Sequence, residues 1–163
     1  MKSGVIYFFI ITFILSFSYL ENMDNVYEVN QIEELLNERI NIINTFLYGE
    51  KNLEILEKLK YDLSKIEDEK LLKSDIDILT NIYYNPTDYE RTTKVKISEV
   101  KEIEVTKDSI NVLVNLKWTI LSNEELPIET NLIKDYNISC VQKGKKLYLT
   151  NMEFVEWRRK NGK

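Results

Sequence analysis

Histidine and alanine are absent from the 163 residues, cysteine occurs once, proline twice and glycine four times. Without histidine, and with Cys140 alone, the chain cannot form an internal disulfide or supply the usual zinc spacings. It also cannot assemble a Ser-His-Asp or Cys-His mechanism. Only Gly49 and Gly144 fall inside the folded part, so there is no GxGxxG or P-loop pattern to cradle a nucleotide phosphate. Nor is there an Asp/Asn/Gly loop of the helix-loop-helix calcium type. No cofactor is therefore expected. The missing alanine, beside abundant Asn, Lys, Ile, Glu and Tyr, is most simply a trace of an AT-rich genome, and helix propensity carries correspondingly less weight.

What is present begins with charge. Only Lys2 of the 22 basic residues precedes residue 20, so the remainder sets 21 basic against 27 acidic residues, a net charge of −6. An acidic body without a basic stripe is a poor binder of nucleic-acid backbone. The exception is the tail Arg158, Arg159, Lys160, Lys163, which reads as a solubilising end.

Residues 5–20, VIYFFIITFILSFSYL, contain no charge and are flanked by Lys2 before and Glu21 and Asp24 after. The basic side stays in the cytoplasm, so the domain behind this segment is expected outside, at the cell membrane. Sixteen residues are short against the ~20 that cross a hydrocarbon core. Ser16 and Ser18 resemble a signal-peptidase site cutting before Tyr19, whereas the thin basic region and bulky Phe17 and Tyr19 oppose cleavage. A retained single-pass anchor and a secreted protein cleaved near Ser18 both stay open. No cysteine lies here to carry a lipid anchor.

Beyond it the chain has room for one domain, expected over residues 29–157, after a short tether or helix lead-in at 21–28 and before a basic tail at 158–163. Ile32, Leu35, Leu36, Ile40, Ile43, Phe46 and Leu47 recur at three- and four-residue steps, which predicts an amphipathic helix over 29–48. Gly49 interrupts it. A second helix follows with Leu53, Leu56, Leu63 and Ile66 on one face as far as Glu67. In a third, Glu67, Asp68 and Glu69 sit near the start, where the helix dipole favours them, and Pro86 ends the run.

The period then changes from 3.6 to 2. Val95, Ile97, Ile103 and Val105 alternate with charged residues around a bulge at 99–101. Ile110, Val112, Val114, Leu116, Trp118 and Ile120 form the clearest strand, with Asn111, Asn115, Lys117 and Thr119 on its wet side. A short strand at 128–132, another through Tyr136, Ile138 and Cys140, and a return over 146–151 complete an antiparallel meander.

The fold class expected is α+β: a hydrophobic amino-terminal helix, then three helices packed on a curved antiparallel sheet of about four strands. This element order, with Tyr136-Asn137-Ile138-Ser139 pairing across Lys143-Gly144-Lys145 with Leu147-Tyr148-Leu149, resembles the nuclear transport factor 2-like superfamily, over residues 29–151. Exported members from AT-rich Gram-positive bacteria often end on a similar lysine-aromatic strand. The resemblance implies a cone of helices and concave sheet. It does not imply one activity, because that superfamily hosts isomerases, hydratases, adaptors and membrane-tethered secretion subunits.

Its catalytic members place an Asp, His or Tyr inside the cone, where this chain offers Val112, Val114, Leu116 and Trp118. That row lines an apolar pocket or fills the core, and it contains no general base. Tyr48, Tyr83, Tyr84, Tyr136 and Tyr148 are phenolic donors or, more simply, packing residues with wet tips. Asp75 and Asp77 point about 200 degrees apart on a helix and, like Asp62, are expected in solvent. Cys140 shares a face with Tyr136 and Ile138, which predicts a buried thiol. Phe154 and Trp157 form a docking edge or close the core. The function expected is a non-catalytic, membrane-tethered interaction or scaffold module in the cell envelope, such as a conjugation or secretion subunit. Its partners would be the membrane through residues 5–20 and another envelope protein, and homo-oligomerisation is compatible with it. The alternative is a secreted small-molecule binder or an isomerase/hydratase-type enzyme with an apolar pocket.

Overall fold

The computed structural model describes residues 3–49, 53–85, 90–122 and 126–156, with side chains from residue 26 onward. Three helices, α1 (Ser3–Tyr48), α2 (Leu53–Leu63) and α3 (Glu69–Tyr84), precede four strands, β1 (Arg91–Val105), β2 (Ser109–Leu121), β3 (Glu129–Lys143) and β4 (Lys146–Phe154). The strands pair antiparallel in the order β1-β2-β3-β4, so the fold is α+β. Residues 21–28 lie within α1. Among the described residues no helix is long and apolar enough to cross a membrane. The apolar segment 5–20, Trp157 and the basic tail fall outside the residues whose side chains are described.

The helical periodicity becomes a packed face. Ile32, Leu36, Ile40 and Phe46 of α1 are buried, together with Leu59 and Leu63 of α2 and Leu79 of α3. Asp68 caps α3 by accepting from the Leu71 N–H at 3.0 Å, which satisfies one of the amides that a helix start leaves unpaired. At Gly49 any side chain would bring its Cβ to 2.3 Å from the Thr45 carbonyl oxygen. Only glycine fits where α1 ends.

The alternation expected of the strands appears as one buried sheet face. Val95, Ile110, Val112, Val114, Leu116, Ile138, Cys140, Leu147 and Leu149 are all buried, against the helices. Register shifts in β1 between Ile97 and Glu99 and between Val100 and Glu102 insert the extra residues that the broken alternation at 99–101 signals. The β3–β4 turn places Gly144 at φ 67°, the left-handed region that its lack of a Cβ makes accessible.

Three expectations are corrected. The separate strands at 128–132 and 136–140 are the single strand β3, whose register with β2 runs unbroken from Leu121↔Glu129 to Ser109↔Val141. Residues 126–133 are exposed on both faces, so they lack the alternation that would have joined them to the rest. The second helix stops at Leu63 rather than Glu67, because residues 64–66 turn and Glu67 bridges in parallel to Leu149. Asp75, expected in solvent, is 7% exposed.

Candidate functional site

Two features stand out once the fold is assembled: a buried charge cluster beside the Trp118 end of the core, and an uncovered half of β3. The cluster is built from three elements. Arg39 of α1 donates through Nε to Glu67 Oε1 at 2.9 Å and to Asp75 Oδ2 at 2.9 Å, and its Nη2 also donates to Asp75. Glu67 lies in the α2–α3 connection, pinned there by Leu149 N–H donating to the Ile66 carbonyl and Asp68 N–H donating to the Leu149 carbonyl, both at 2.8 Å. Asp75 faces inward on the second turn of α3.

Two carboxyls therefore share one guanidinium. Burial, and then the charge of Asp75, push Glu67 up to about 8, with Arg39 pulling the other way. At neutral pH Glu67 is held as the uncharged acid. This satisfies the electrostatics, since one Arg cannot neutralise two desolvated carboxylates. The Glu67 side chain is fully buried, and as the neutral acid it is hydrogen-bonded to Asp75 as well as to Arg39.

Arg39 also lines a cavity of about 150 Å³ together with Ile40, Ile43, Asn44, Leu47 and Trp118. That is below the ~300–1,000 Å³ of ordinary ligand pockets. Of the four residues of the candidate pocket, Val112, Val114 and Leu116 are 0–3% exposed core residues and only Trp118 faces this cavity. The Trp118 Nε1 is buried without a partner among the described residues. Its ring meets Tyr136 edge-on at 5.7 Å, and Tyr136 meets Phe154 at 5.9 Å. An aromatic row thus crosses β2, β3 and β4 and surfaces at Phe154, which is 43% exposed with the Lys134 ammonium 4.8 Å from its ring. Burial pushes the Tyr136 phenol up, and pushes the Cys140 thiol up to about 12. That thiol stays protonated and unreactive.

Sequence reasoning placed Trp118 on the dry face of its strand and Tyr136 on the face of Ile138 and Cys140 in the next, but missed the meeting of Arg39, Glu67 and Asp75. Arg39 lies on the helix flank, outside the apolar stripe, and the three residues are 28 and 36 positions apart. The only local hint is that Asp75 sits four residues before the buried Leu79 of α3, on the same helix face.

The sheet edges are treated unequally. On the β1 edge, Asn37 of α1 receives the Val95 N–H at 3.0 Å and donates to the Val95 carbonyl at 2.9 Å. Glu33 accepts from Ile97 N–H at 2.7 Å and Asn44 donates to the Thr92 carbonyl at 2.7 Å. These side chains imitate a neighbouring strand and block pairing there. The β4 edge is covered at Leu149 by the 66–68 connection. The first half of β3 has no such cover among the described residues, and Leu126, Ile128, Leu132 and Ile133 are exposed around it.

No family model and no curated protein matches the chain. Among solved structures, a de novo designed β-sheet protein is similar at 15% identity and a TM-score of 0.32, over 77% of this chain and 88% of that one. A protein of unknown function from Bacteroides thetaiotaomicron is similar at 14% identity and a TM-score of 0.36, over 80% of this chain and 98% of that one. Likeness at this level identifies neither a family nor an activity, and what the chain does must be argued from its own surfaces.

Proposed function

We propose that the chain is a membrane-tethered, extracytoplasmic interaction module of the nuclear transport factor 2-like type, held at the cell envelope by residues 5–20 and acting through contact with another protein. The observation that supports this reading is the contrast between its interior and its edge. The row Val112, Val114, Leu116 is spent on packing, and the cavity at Trp118 is small. Large aliphatic side chains instead collect on the uncovered half of β3, with Leu126 83%, Ile133 57% and Ile128 56% exposed. An exposed cluster of this kind marks an interaction surface. The three-helix and antiparallel-meander order, with helices on one face, agrees with the cone-shaped fold.

A second reading, a small-molecule binder or enzyme, draws on the acidic proton at Glu67, one side chain removed from the cavity. Glu67 does not line that cavity, and Arg39 stands between them.

The test places a photocrosslinking residue at Ile133 or Leu126, and at exposed Asn111 as control, in the full chain in its native membranes. Adducts at the first two positions and none at Asn111, with the chain in the membrane fraction, are expected. A chain found only in the soluble medium, or no adduct together with a thermal shift from apolar ligands, would overturn the reading. Mass measurement of the mature amino terminus decides between a retained anchor and cleavage before Tyr19.

A further inference from the structure

β4 accompanies β3 only as far as Tyr136↔Phe154, and the Val155 N–H then donates to the Asp135 carbonyl at 2.9 Å. Backbone groups in an antiparallel strand alternate sides every residue. Because Asp135 points its carbonyl away from β2, so do Ile133, Asn131 and Glu129, and the unbroken β2–β3 register keeps that phase. Among the described residues their N–H and C=O groups form an open strand edge with aliphatic side chains on both faces, Ile128 and Leu132 on one and Ile133 on the other.

We propose that a second copy of this chain adds its own residues 129–133 antiparallel to this edge, joining two four-stranded sheets into one about a two-fold axis at Asn131. The inference rests on the reading of the chain as an interaction module and names its partner at this edge.

The sequence selects both the partner and the register. In a strand paired with its own copy, only the outward-pointing residues can exchange backbone bonds. An axis at Thr130 would oppose Ile133 to the partner's Pro127, which has no N–H to give. An axis at Leu132 would oppose Glu129 to the partner's Asp135, setting carboxylate against carboxylate at a carbonyl already taken by Val155. An axis at Asn131 opposes Asn131 to the partner's Asn131 and Glu129 to the partner's Ile133, with no like charges facing. In that register Leu132 lies diagonal to the partner's Leu132 and to the partner's Ile128, within reach of long side chains. One apolar row then runs across the junction. The pairing stops at Pro127, before it meets Val155. The β1 edge at Thr92, Val95 and Ile97 and the β4 edge at Leu149 are sealed by this chain's own residues, whereas no described residue seals the 129–133 edge.

The test uses the full chain in membranes and in detergent. Asn131→Cys places the new thiol on the two-fold axis, where facing Cα atoms of a bonded antiparallel pair lie ~5.5 Å apart, within disulfide range. The native Cys140 is buried and does not compete. Mild oxidation is expected to link Asn131→Cys into dimers and to leave the control Asn111→Cys monomeric. Asn131→Pro removes an N–H that points away from β2. It should weaken dimerisation in sedimentation experiments at least tenfold while the melting temperature of the monomer changes little. A wild-type chain that stays monomeric, a dimer insensitive to Asn131→Pro, or a dimer that forms only after residues 157–163 are deleted would each overturn the inference. The last result would make the chain's own tail the occupant of the edge. Loss of Ile133 photoadducts to every protein refutes the interaction module itself, whereas adducts only to a different protein refute the dimer alone.

Discussion

Glu67→Gln tests the buried cluster most directly, because glutamine keeps the shape of the neutral carboxyl and removes its titration. The folded protein holds the Glu67 proton up to about pH 8, while the unfolded chain releases it near the ordinary value of 4.5. Between those two values the folded state binds one more proton than the unfolded state. The stability that this group contributes is thus fully present below pH 4.5 and is lost as pH rises towards 8, at about 1.4 kcal/mol per pH unit. Urea unfolding followed by tryptophan fluorescence at pH 5.5, 7.0 and 8.5 reads this slope. The wild-type protein should lose roughly 3 kcal/mol relative to Glu67→Gln between the first and last pH, with the variant the more stable at pH 8.5. Relaxation around an ionised Glu67 would lower that figure without changing its sign. Parallel pH profiles for the two proteins would refute the reasoning, because they would mean that Glu67 carries the same charge folded and unfolded over this range.

Further outcomes follow from the same geometry. Arg39→Leu leaves two buried carboxyls without their guanidinium and should cost about 3–5 kcal/mol, more at pH 8 than at pH 5, where Glu67 keeps its proton; an equal cost at both would show that charge is not the reason. Asn37→Ala strips the β1 edge of the donor and acceptor that serve Val95 and should cost about 1–3 kcal/mol, with faster hydrogen exchange at Val95 than at Val114. Leu116→Ala, at a fully buried position, should cost roughly 3–5 kcal/mol in the same urea assay; a cost under 1 kcal/mol would show that the core there is not closely packed. Cys140 should resist alkylation at pH 8 in the folded protein and react fully in urea, as mass spectrometry would show.

Within the chain, periodicity carried the reading a long way where a residue's environment is set by its own element. The apolar stripe of 32–47 became the buried face of α1, and the alternation of 110–118 became the core face of β2, because a helix or strand with one dry side records that side in its sequence. The same logic failed at 126–133. There neither face is buried, and the joining of two apparent strands into β3 is enforced from outside, by continuous pairing with β2. The helix ends were legible only in part. Gly49 marks a stop by local sterics, but the end of α2 at Leu63 depends on the distant backbone of Leu149.

Composition alone determined which chemistries are unavailable: no histidine means no imidazole base, and a single cysteine means no internal disulfide, whatever the fold. Charge and hydropathy likewise set the expectation of export, through residues 5–20. Tertiary structure alone decided that Arg39, Glu67 and Asp75 meet, that α1 rather than another strand closes the β1 edge at 92–97, and that among the described residues nothing covers the edge at 129–133. The physical reason is range. Hydrophobic patterning is a property of neighbours three or four residues apart, whereas desolvated ion clusters and sheet edges are made by groups tens of residues apart, whose meeting no local pattern encodes.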